Sequence, residues 1–257
     1  APWYNIEQID ELILESGIKE KIESKKITRE TSNSLYNKFL LPGRKSLEAF
    51  FNEYIIDVIN NKDKYEEMGI DFPSPTILYG PPGTGKTYAV ECLGEFLGWP
   101  IYYIDSNSIA SPYIHESGKK IAGVFTEAEK HSPSLVVIDE MEAYFASRTD
   151  CESATYHLEE LSELLRKIAT ATKNHILVFG MTNMHSMLDA AALRHGRFDN
   201  QLEVLPPTIE ESKDLLAHIL KKLPVGEDID FEQIIQSLKG KPISDFSYFI
   251  KEASRKA

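Results

Sequence analysis

The sequence predicts a doubly wound α/β fold, in which helices cover both faces of a parallel sheet, followed by a small helical part. Two runs of apolar and β-branched residues, Thr76–Tyr79 and Ser134–Ile138, have the length and composition of strands buried on both faces. Residues 100–104 and 175–180 have a similar character, and a helical stretch at residues 89–97 follows the first strand. Strands that alternate with helices in this way form a parallel sheet.

Residues 80–87 read GPPGTGKT and stand directly behind the first strand. The glycines of such a loop let successive backbone N–H groups curl around phosphates, Lys86 supplies a positive charge, and the Thr87 hydroxyl ligates Mg²⁺. A plain connection between strand and helix is the alternative, but the complete GxxxxGK[ST] pattern lies between a strand and a helical stretch. We therefore predict binding of ATP and Mg²⁺, with nucleotide contacts from Pro82, Gly83, Thr84, Gly85, Lys86, Thr87 and Tyr88.

Two carboxylates, Asp139 and Glu140, directly follow the strand Ser134–Ile138. Ligands of a doubly wound sheet lie at the carboxyl ends of its strands. Asp139 is therefore predicted to hold Mg²⁺ through water, and Glu140 to polarise the attacking water. An acidic pair without a catalytic role is the alternative for any strand end at a surface.

An amide and two arginines complete the set of candidate catalytic residues. Asn183 follows the strand at residues 175–180 and would orient the lytic water or sense the γ-phosphate, with a simple turn former as the alternative. Arg194 and Arg197 stand at the end of a short helical stretch in residues 188–199. Neither arginine is needed to pair with a carboxylate of the chain's own phosphate loop.

The motifs GPPGTGKT, LVVIDE, MTN and LRHGRFD, in this order and spacing, resemble the AAA family of ring-forming ATPases, specifically its protein-remodelling clade. The resemblance runs from about residue 41 to residue 257. It implies a homo-oligomer in which Arg194 and Arg197 reach the γ-phosphate held by the neighbouring subunit. The family suggests a hexameric ring, and a helical or incomplete ring is equally allowed because contacts between subunits need not close. The alternative for these two arginines is a solubilising surface pair.

The resemblance also implies contacts to the base. Residues 40–43 resemble the short loop that packs on adenine, so Gly43 is assigned to the nucleotide, and His218 matches a lid position that touches the base. Residues 240–246 resemble the lid turn written GxSGAD, but Ile243 stands in place of Gly and Ser244 in place of Ala.

A substrate-gripping loop is implied at Tyr113, Ile114 and His115, where the family places its central-pore loop. The family pattern is aromatic, aliphatic, glycine, and His115 occupies the glycine position. An aromatic ring grips an extended polypeptide without reading its sequence, which suits threading. An exposed tyrosine without a role is the alternative. Residues 149–155 would correspond to a second pore loop.

Composition limits the partners and the compartment. The 257 residues carry a formal net charge of −12, which argues against a nucleic-acid partner. The two cysteines suggest reduced thiols in the cytoplasm or another intracellular compartment, and no metal-binding cysteine cluster appears. No apolar run is long enough to span a bilayer, and no signal peptide opens the chain.

Three parts are predicted along the chain: an N-terminal helical arm (residues 1–40), a large α/β ATPase subdomain (41–205) and a helical lid (206–257). The lid of the family usually has one more helix, so a truncated C-terminus is one interpretation. The arm is either an adaptor or targeting segment or a helical pair packed on the ATPase domain. Residues 50–60 are predicted as the first core helix, and residues 209–223, 231–238 and 245–256 as lid helices.

The function predicted from these residues is Mg²⁺-dependent ATP hydrolysis in a ring, coupled to unfolding, threading or disassembly of protein substrates. One alternative is a nucleotide-gated switch or scaffold without threading. Another is the ATPase partner of a separate protease, because the chain contains no HExxH zinc motif. A DNA-handling relative such as a clamp loader is disfavoured by the acidic charge.

Overall fold

A parallel sheet of five strands lies at the centre of the computed structural model, which describes residues 36–105, 116–142, 151–187, 193–221 and 231–256. The strands are β1 (Thr76–Tyr79), β2 (Ile101–Ile104), β3 (Ser134–Ile138), β4 (Ile176–Thr182) and β5 (Asn200–Glu203). Their order is β2-β3-β4-β1-β5, and all neighbours run parallel. The predicted doubly wound parallel sheet is therefore confirmed.

Nine α-helices accompany this sheet in the described part of the chain. They are α1 (Lys45–Phe51), α2 (Asp57–Asn60), α3 (Lys62–Glu66), α4 (Lys86–Leu97), α5 (Glu116–Lys130), α6 (Cys151–Ala171), α7 (Ile209–Leu220), α8 (Phe231–Leu238) and α9 (Ile243–Lys256). Among the helices so described, none combines the length and the apolar character needed to cross a membrane.

The sheet separates two apolar cores because successive strand residues face opposite sides. In β3, Val136 and Ile138 pack on one side with residues of α5 and α6. Leu135 and Val137 pack on the other side with residues of α1 and α4. All residues of β3 and β4 are buried, as expected for central strands covered on both faces.

Two strands have limits that differ from those predicted. β2 and β4 each begin one residue later, and β4 continues two residues further, through Met181 and Thr182. His175 has a left-handed φ of 54° and belongs to the turn before β4. Met181 and Thr182 extend the strand because they are in register with the last residues of β1.

The predicted first core helix at residues 50–60 is wrong in extent and in regularity. It begins at Lys45, and a π-helical turn, Asn52–Ile56, separates α1 from α2. A π turn shifts the buried stripe by one position, so that both Ile55 and Ile56 are buried.

Other helix boundaries also differ. α4 begins at Lys86, three residues before the predicted stretch, and α7 ends at Leu220. α9 begins at Ile243, directly after Pro242, whose carbonyl accepts a hydrogen bond from the Asp245 N–H at 3.0 Å.

The second pore loop predicted at residues 149–155 is wrong from Cys151 onward, because α6 begins there.

Residues 36–40, grouped with the N-terminal arm by sequence, lie in the compact unit that starts at Tyr36. Phe39 is only 2% exposed. The Asn60 side chain bonds both the N–H and the C=O of Tyr36, at 2.8 and 2.9 Å, and Asn52 does the same for Phe39, at 2.9 Å in both bonds. These side chains satisfy the backbone as a neighbouring strand would.

The three helices after β5 share small apolar cores of their own, one of which contains Leu215, Leu238 and Phe246. A capping box starts α7: the Thr208 hydroxyl accepts from the Glu211 N–H, and the Glu211 carboxylate accepts from the Thr208 N–H. This arrangement satisfies backbone donors that the first helical turn leaves unpaired.

Candidate nucleotide site

The phosphate loop leaves the carboxyl end of β1 and turns directly into α4. Gly85 has a left-handed φ of 88°, and its carbonyl accepts the Ala89 N–H at 3.0 Å, so the helix starts one residue after it. The loop thus stands at the N-terminus of a helix, where free N–H groups and the helix dipole favour phosphate.

Lys86 is 8% exposed, and its ammonium group donates to three oxygens. The acceptors are the carbonyls of Gly80 and Pro81, at 2.8 and 2.9 Å, and Oδ1 of Asn183, at 2.9 Å. Burial lowers the pKa of Lys86, while the carboxylates of Asp139 and Glu142 act in the opposite direction. All three ammonium protons are committed, so a phosphate oxygen that binds Lys86 must replace one of these acceptors.

The pairing of Lys86 with Asn183 follows from the strand order. β4 lies between β1 and β3. Asn183, directly after β4, therefore lies between the phosphate loop and the turn of Asp139 and Glu140 that follows β3, called the acidic turn below. The sequence predicted that both residues belong to the site, but it did not predict that they bond to each other.

The acidic turn after β3 has a defined backbone. The Asp139 N–H donates to the Ile104 carbonyl at 3.0 Å, and the Asp139 carboxylate accepts from the Glu140 N–H at 2.8 Å. Glu140 has a left-handed φ of 50°, and its side chain is exposed. The Met141 N–H then bonds the Met181 carbonyl of β4 at 2.9 Å, which ties the turn to the sheet. A left-handed non-glycine residue at a strand tip is a feature that clusters at functional sites.

Two residues absent from the predicted set join the site. The Glu142 carboxylate accepts a hydrogen bond from the Thr182 hydroxyl at 2.6 Å, and Thr182 is fully buried beside Asn183. The sequence does contain signals for both: Glu142 stands two positions beyond Glu140, and Thr182 stands directly before Asn183. Only the folded sheet shows that they meet.

The remaining phosphate-loop residues divide into buried and exposed positions. The Thr84 hydroxyl is buried and donates to the Pro81 carbonyl at 3.0 Å, whereas Pro82 is exposed. The Thr87 hydroxyl is half-buried and lies 3.4 Å from the Met181 sulfur, a weak acceptor. Tyr88 is about half exposed, and its hydrogen bond to Cys92 and its burial raise the Tyr88 pKa to about 12.

Gly43 lies against α7 at a distance that only glycine permits. Its φ is 74°, and a Cβ there would lie 2.5 Å from the Leu215 Cβ and 2.8 Å from the Glu211 carbonyl. Two further bonds join this segment to the chain around α7: the Lys45 N–H donates to Glu211 at 3.0 Å, and Arg44 donates to the Leu205 carbonyl at 2.9 Å. The loop predicted to pack on adenine is therefore fixed against α7.

His218, the other predicted base contact, lies on the same helix α7 and is half-buried. It stands three residues beyond Leu215, which packs on Gly43, and thus on a neighbouring part of the helix surface. Its contact with the base stays a prediction.

The lid turn packs directly on the phosphate loop although its sequence departs from the family pattern. The Ser244 N–H donates to the Gly83 carbonyl at 3.3 Å. A Cβ on Gly83 would lie 2.6 Å from the Ser244 hydroxyl, and a Cβ on Gly85 would lie 3.0 Å from Cδ1 of Ile243. Ile243 and Ser244, which depart from the family pattern, both touch the loop, and Pro242 also lies against Gly83.

Arg194 and Arg197 stand on a turn, and the helical stretch predicted before them falls mainly on residues 188–192, outside the described residues. The Arg197 N–H bonds the Arg194 carbonyl at 3.2 Å, and the Gly196 N–H bonds the Asp199 carboxylate at 2.8 Å. Phe198 is fully buried next to Gly180 and anchors the turn to β4.

The predicted pore-loop residues Tyr113, Ile114 and His115 lie outside the described residues, which resume at Glu116, the first residue of α5. Their role stays a prediction.

We expect Gly43→Ala to weaken ATP binding by about tenfold or more, because the added methyl group must push the loop predicted to pack on adenine, residues 40–43, away from α7. Gly69→Ala is the matched control: Gly69 also has a positive φ, of 81°, but nothing lies within 4 Å of its added Cβ. The control should lose about 1 kcal/mol of unfolding free energy without loss of ATP affinity. Nucleotide titration and thermal unfolding measure both effects. Equal ATP affinity in the two variants would contradict the role of the close packing.

The fold and the site together define a P-loop nucleoside triphosphatase. A complete phosphate loop links the buried parallel strand β1 to the helix α4. Beside it, Asp139 and Glu140 follow β3, and Asn183 follows β4. The family model described as "ATPase family associated with various cellular activities (AAA)" matches residues 76–205, about half of the chain. The chain belongs to the AAA family, in its protein-remodelling clade, and its enzyme class is ATP hydrolase. The predicted family membership is confirmed.

Three similar proteins illustrate the relationship. Protein SAV of Sulfolobus acidocaldarius is 30% identical over 196 residues, 76% of this chain and 25% of that protein. ATP-dependent zinc metalloprotease FtsH of Lachnoclostridium phytofermentans is 34% identical, over 71% of this chain and 32% of that protein. The cell division cycle protein 48 homolog of Archaeoglobus fulgidus is 30% identical, over 77% and 27%. The chain thus spans about a quarter to a third of the length of these relatives.

Proposed function

We propose that the chain hydrolyses ATP within a homo-oligomeric ring, a hexamer, and uses the energy to unfold, thread or disassemble protein substrates. The observation that carries the proposal is the meeting of three strand ends at Lys86. Its ammonium group bonds Asn183 at 2.9 Å and lies close enough to Asp139 and Glu142 for their charges to oppose the lowering of its pKa by burial. This arrangement concentrates the groups that phosphoryl transfer requires at one point.

The residues around Lys86 fit Mg²⁺. Thr87 and Asp139 are half-buried oxygen donors, the class that Mg²⁺ prefers, and the Thr87 hydroxyl has only a weak sulfur acceptor. Among the described residues no group of three His, Cys, Asp or Glu side chains could hold a metal. Mg²⁺ would therefore be held by Thr87, Asp139 and the nucleotide phosphates, and when bound it would neutralise charge on those phosphates.

The chain's own groups would then act on the nucleotide and on water. Lys86 exchanges an acceptor for a phosphate oxygen and holds the nucleotide in place. Glu140, exposed at the end of its turn, accepts a proton from the attacking water. Asn183, released from Lys86 by that exchange, orients the water or contacts the γ-phosphate. Arg194 and Arg197 supply positive charge to the nucleotide of the neighbouring subunit.

The wider organisation belongs to the same proposal. Residues 1–40 would be an arm for an adaptor, residues 41–205 the ATPase subdomain and residues 206–257 the lid, and Tyr113 would grip the substrate. We propose an intracellular compartment because ATP is available there. A separate protease as partner is the second candidate, favoured because one relative is named an ATP-dependent zinc metalloprotease. A nucleotide-gated switch remains the alternative without turnover.

ATP turnover measured against protein concentration tests the proposal. Specific activity should rise as the chain assembles, because each site needs arginines from its neighbour, and sedimentation velocity at the same concentrations should show the oligomer. Turnover with a constant specific activity would contradict the ring mechanism. ATP binding without turnover at any concentration would favour the switch.

A further inference from the structure

The Thr182 hydroxyl connects two parts of the site. It donates its proton to the Glu142 carboxylate at 2.6 Å and accepts the Met184 N–H at 3.0 Å. A hydroxyl has a single proton, so donation to Glu142 fixes the rotation of the hydroxyl and leaves its lone pairs for Met184. The bond from the Met184 N–H to the Thr182 hydroxyl spans Asn183, so the backbone of Asn183 is held in a closed turn.

The same hydrogen bond restrains the acidic turn. Glu142 follows Glu140 by two residues, and the backbone between them is tied to β4 by the bond from the Met141 N–H to the Met181 carbonyl. That bond holds the turn to β4 at one point, while the Asp139 N–H holds the start of the turn to β2 through the Ile104 carbonyl. The contact between Glu142 and Thr182 adds a second point on β4, one residue further along each segment.

The short contact is also expected to be strong. A hydroxyl that donates to a carboxylate forms a charge-assisted hydrogen bond, and Thr182 is 1% exposed, so water competes little for it. Polarisation by the carboxylate makes the hydroxyl a better acceptor for the Met184 N–H. The two bonds of Thr182 therefore support each other.

We propose that Glu142 and Thr182 are positioning residues for ATP hydrolysis, which hold the turn of Glu140 and the amide of Asn183 at a fixed separation. The inference rests on the proposed function. Neither side chain is assigned a contact with ATP or water. The pair sets the distance between the group that accepts the proton and the group that orients the water, a distance on which reaction rate depends steeply.

Thr182→Val tests the pair because valine keeps the shape of threonine and removes the hydroxyl. We expect kcat to fall by about tenfold or more, with the KM for ATP and the affinity for ATP changed by less than about threefold. Thr182→Ser, which restores the hydroxyl, should recover most of kcat. Glu142→Ala should behave as Thr182→Val does, and Glu142→Gln, which keeps an acceptor oxygen, should lie between Glu142→Ala and the unmodified chain.

Thr76→Val is the matched control. Thr76 is also fully buried, and its hydroxyl bonds the Ser74 carbonyl, but it lies at the opposite end of the sheet, at the start of β1. The control should lower the melting temperature without changing kcat. An unchanged kcat in Thr182→Val, or an equal loss of kcat in Thr76→Val, would overturn the inference.

Amide hydrogen exchange provides a readout that does not depend on turnover. Exchange at the Met184 N–H should accelerate in Thr182→Val and in Glu142→Ala, while the Met141 N–H, bonded to the Met181 carbonyl, should stay protected. Unchanged exchange at Met184 in Glu142→Ala would overturn the claim that the carboxylate fixes the hydroxyl. Absence of ATPase activity in the unmodified chain would contradict the proposed function, whereas the exchange rates would still decide whether the pair holds the turn.

Discussion

Replacing Glu140 with glutamine is expected to lower ATP turnover by about two orders of magnitude or more, with ATP affinity within about threefold of the unmodified chain. An amide keeps the size of the carboxylate but cannot accept a proton from water. The backbone at this position is held by Asp139 and Met141 and not by the Glu140 side chain, so the substitution should leave the turn intact. Steady-state phosphate release and nucleotide titration measure the two quantities.

The control for this prediction is Glu163→Gln. Glu163 lies on α6, pairs with Arg166 at 2.6 Å and has no part in the site, so the same change of charge there should leave turnover unaltered. Oligomers of Glu140→Gln should also persist longer in ATP than those of the unmodified chain. Normal turnover in Glu140→Gln would remove Glu140 from the mechanism.

Arg197→Ala and Lys86→Ala are each expected to abolish most turnover, and a mixture of the two chains is expected to recover part of it. Lys86→Ala removes an ammonium group that makes three bonds inside the loop, so it should lose ATP binding itself. Arg197→Ala should bind ATP normally but deprive the neighbouring subunit of positive charge. In a random equal mixture about a quarter of the interfaces should join an intact loop to an intact arginine.

Mixing Arg194→Ala with Arg197→Ala is the control. Both arginines of an interface come from one subunit in the proposed ring, so no interface in this mixture contains a complete pair, and activity should stay low. Sedimentation or pull-down of a tagged chain must show that the variants assemble together. No recovery in the first mixture despite assembly would show that the arginines do not act between subunits.

The phosphate loop and the two central strands behind it could be predicted because their signals are local. The limits of β1 and β3 match the predicted runs, since a continuous apolar segment bounded by polar residues and turns reports burial on both faces. Helix limits were less accurate. The extension of α1 to Lys45 and the π turn after it depend on packing against the sheet and on long-range bonds such as that from Asn52 to Phe39.

The sequence by itself determined the class of protein, the phosphate loop and the residue types available for catalysis, because each is written in a short contiguous pattern. The tertiary structure alone decided which side chains meet. Lys86 bonds Asn183, 97 positions away, and Glu142 bonds Thr182, 40 positions away. Both contacts arise because β4 lies between β1 and β3. Strand order depends on how whole helices and strands pack, a property that no local periodicity carries.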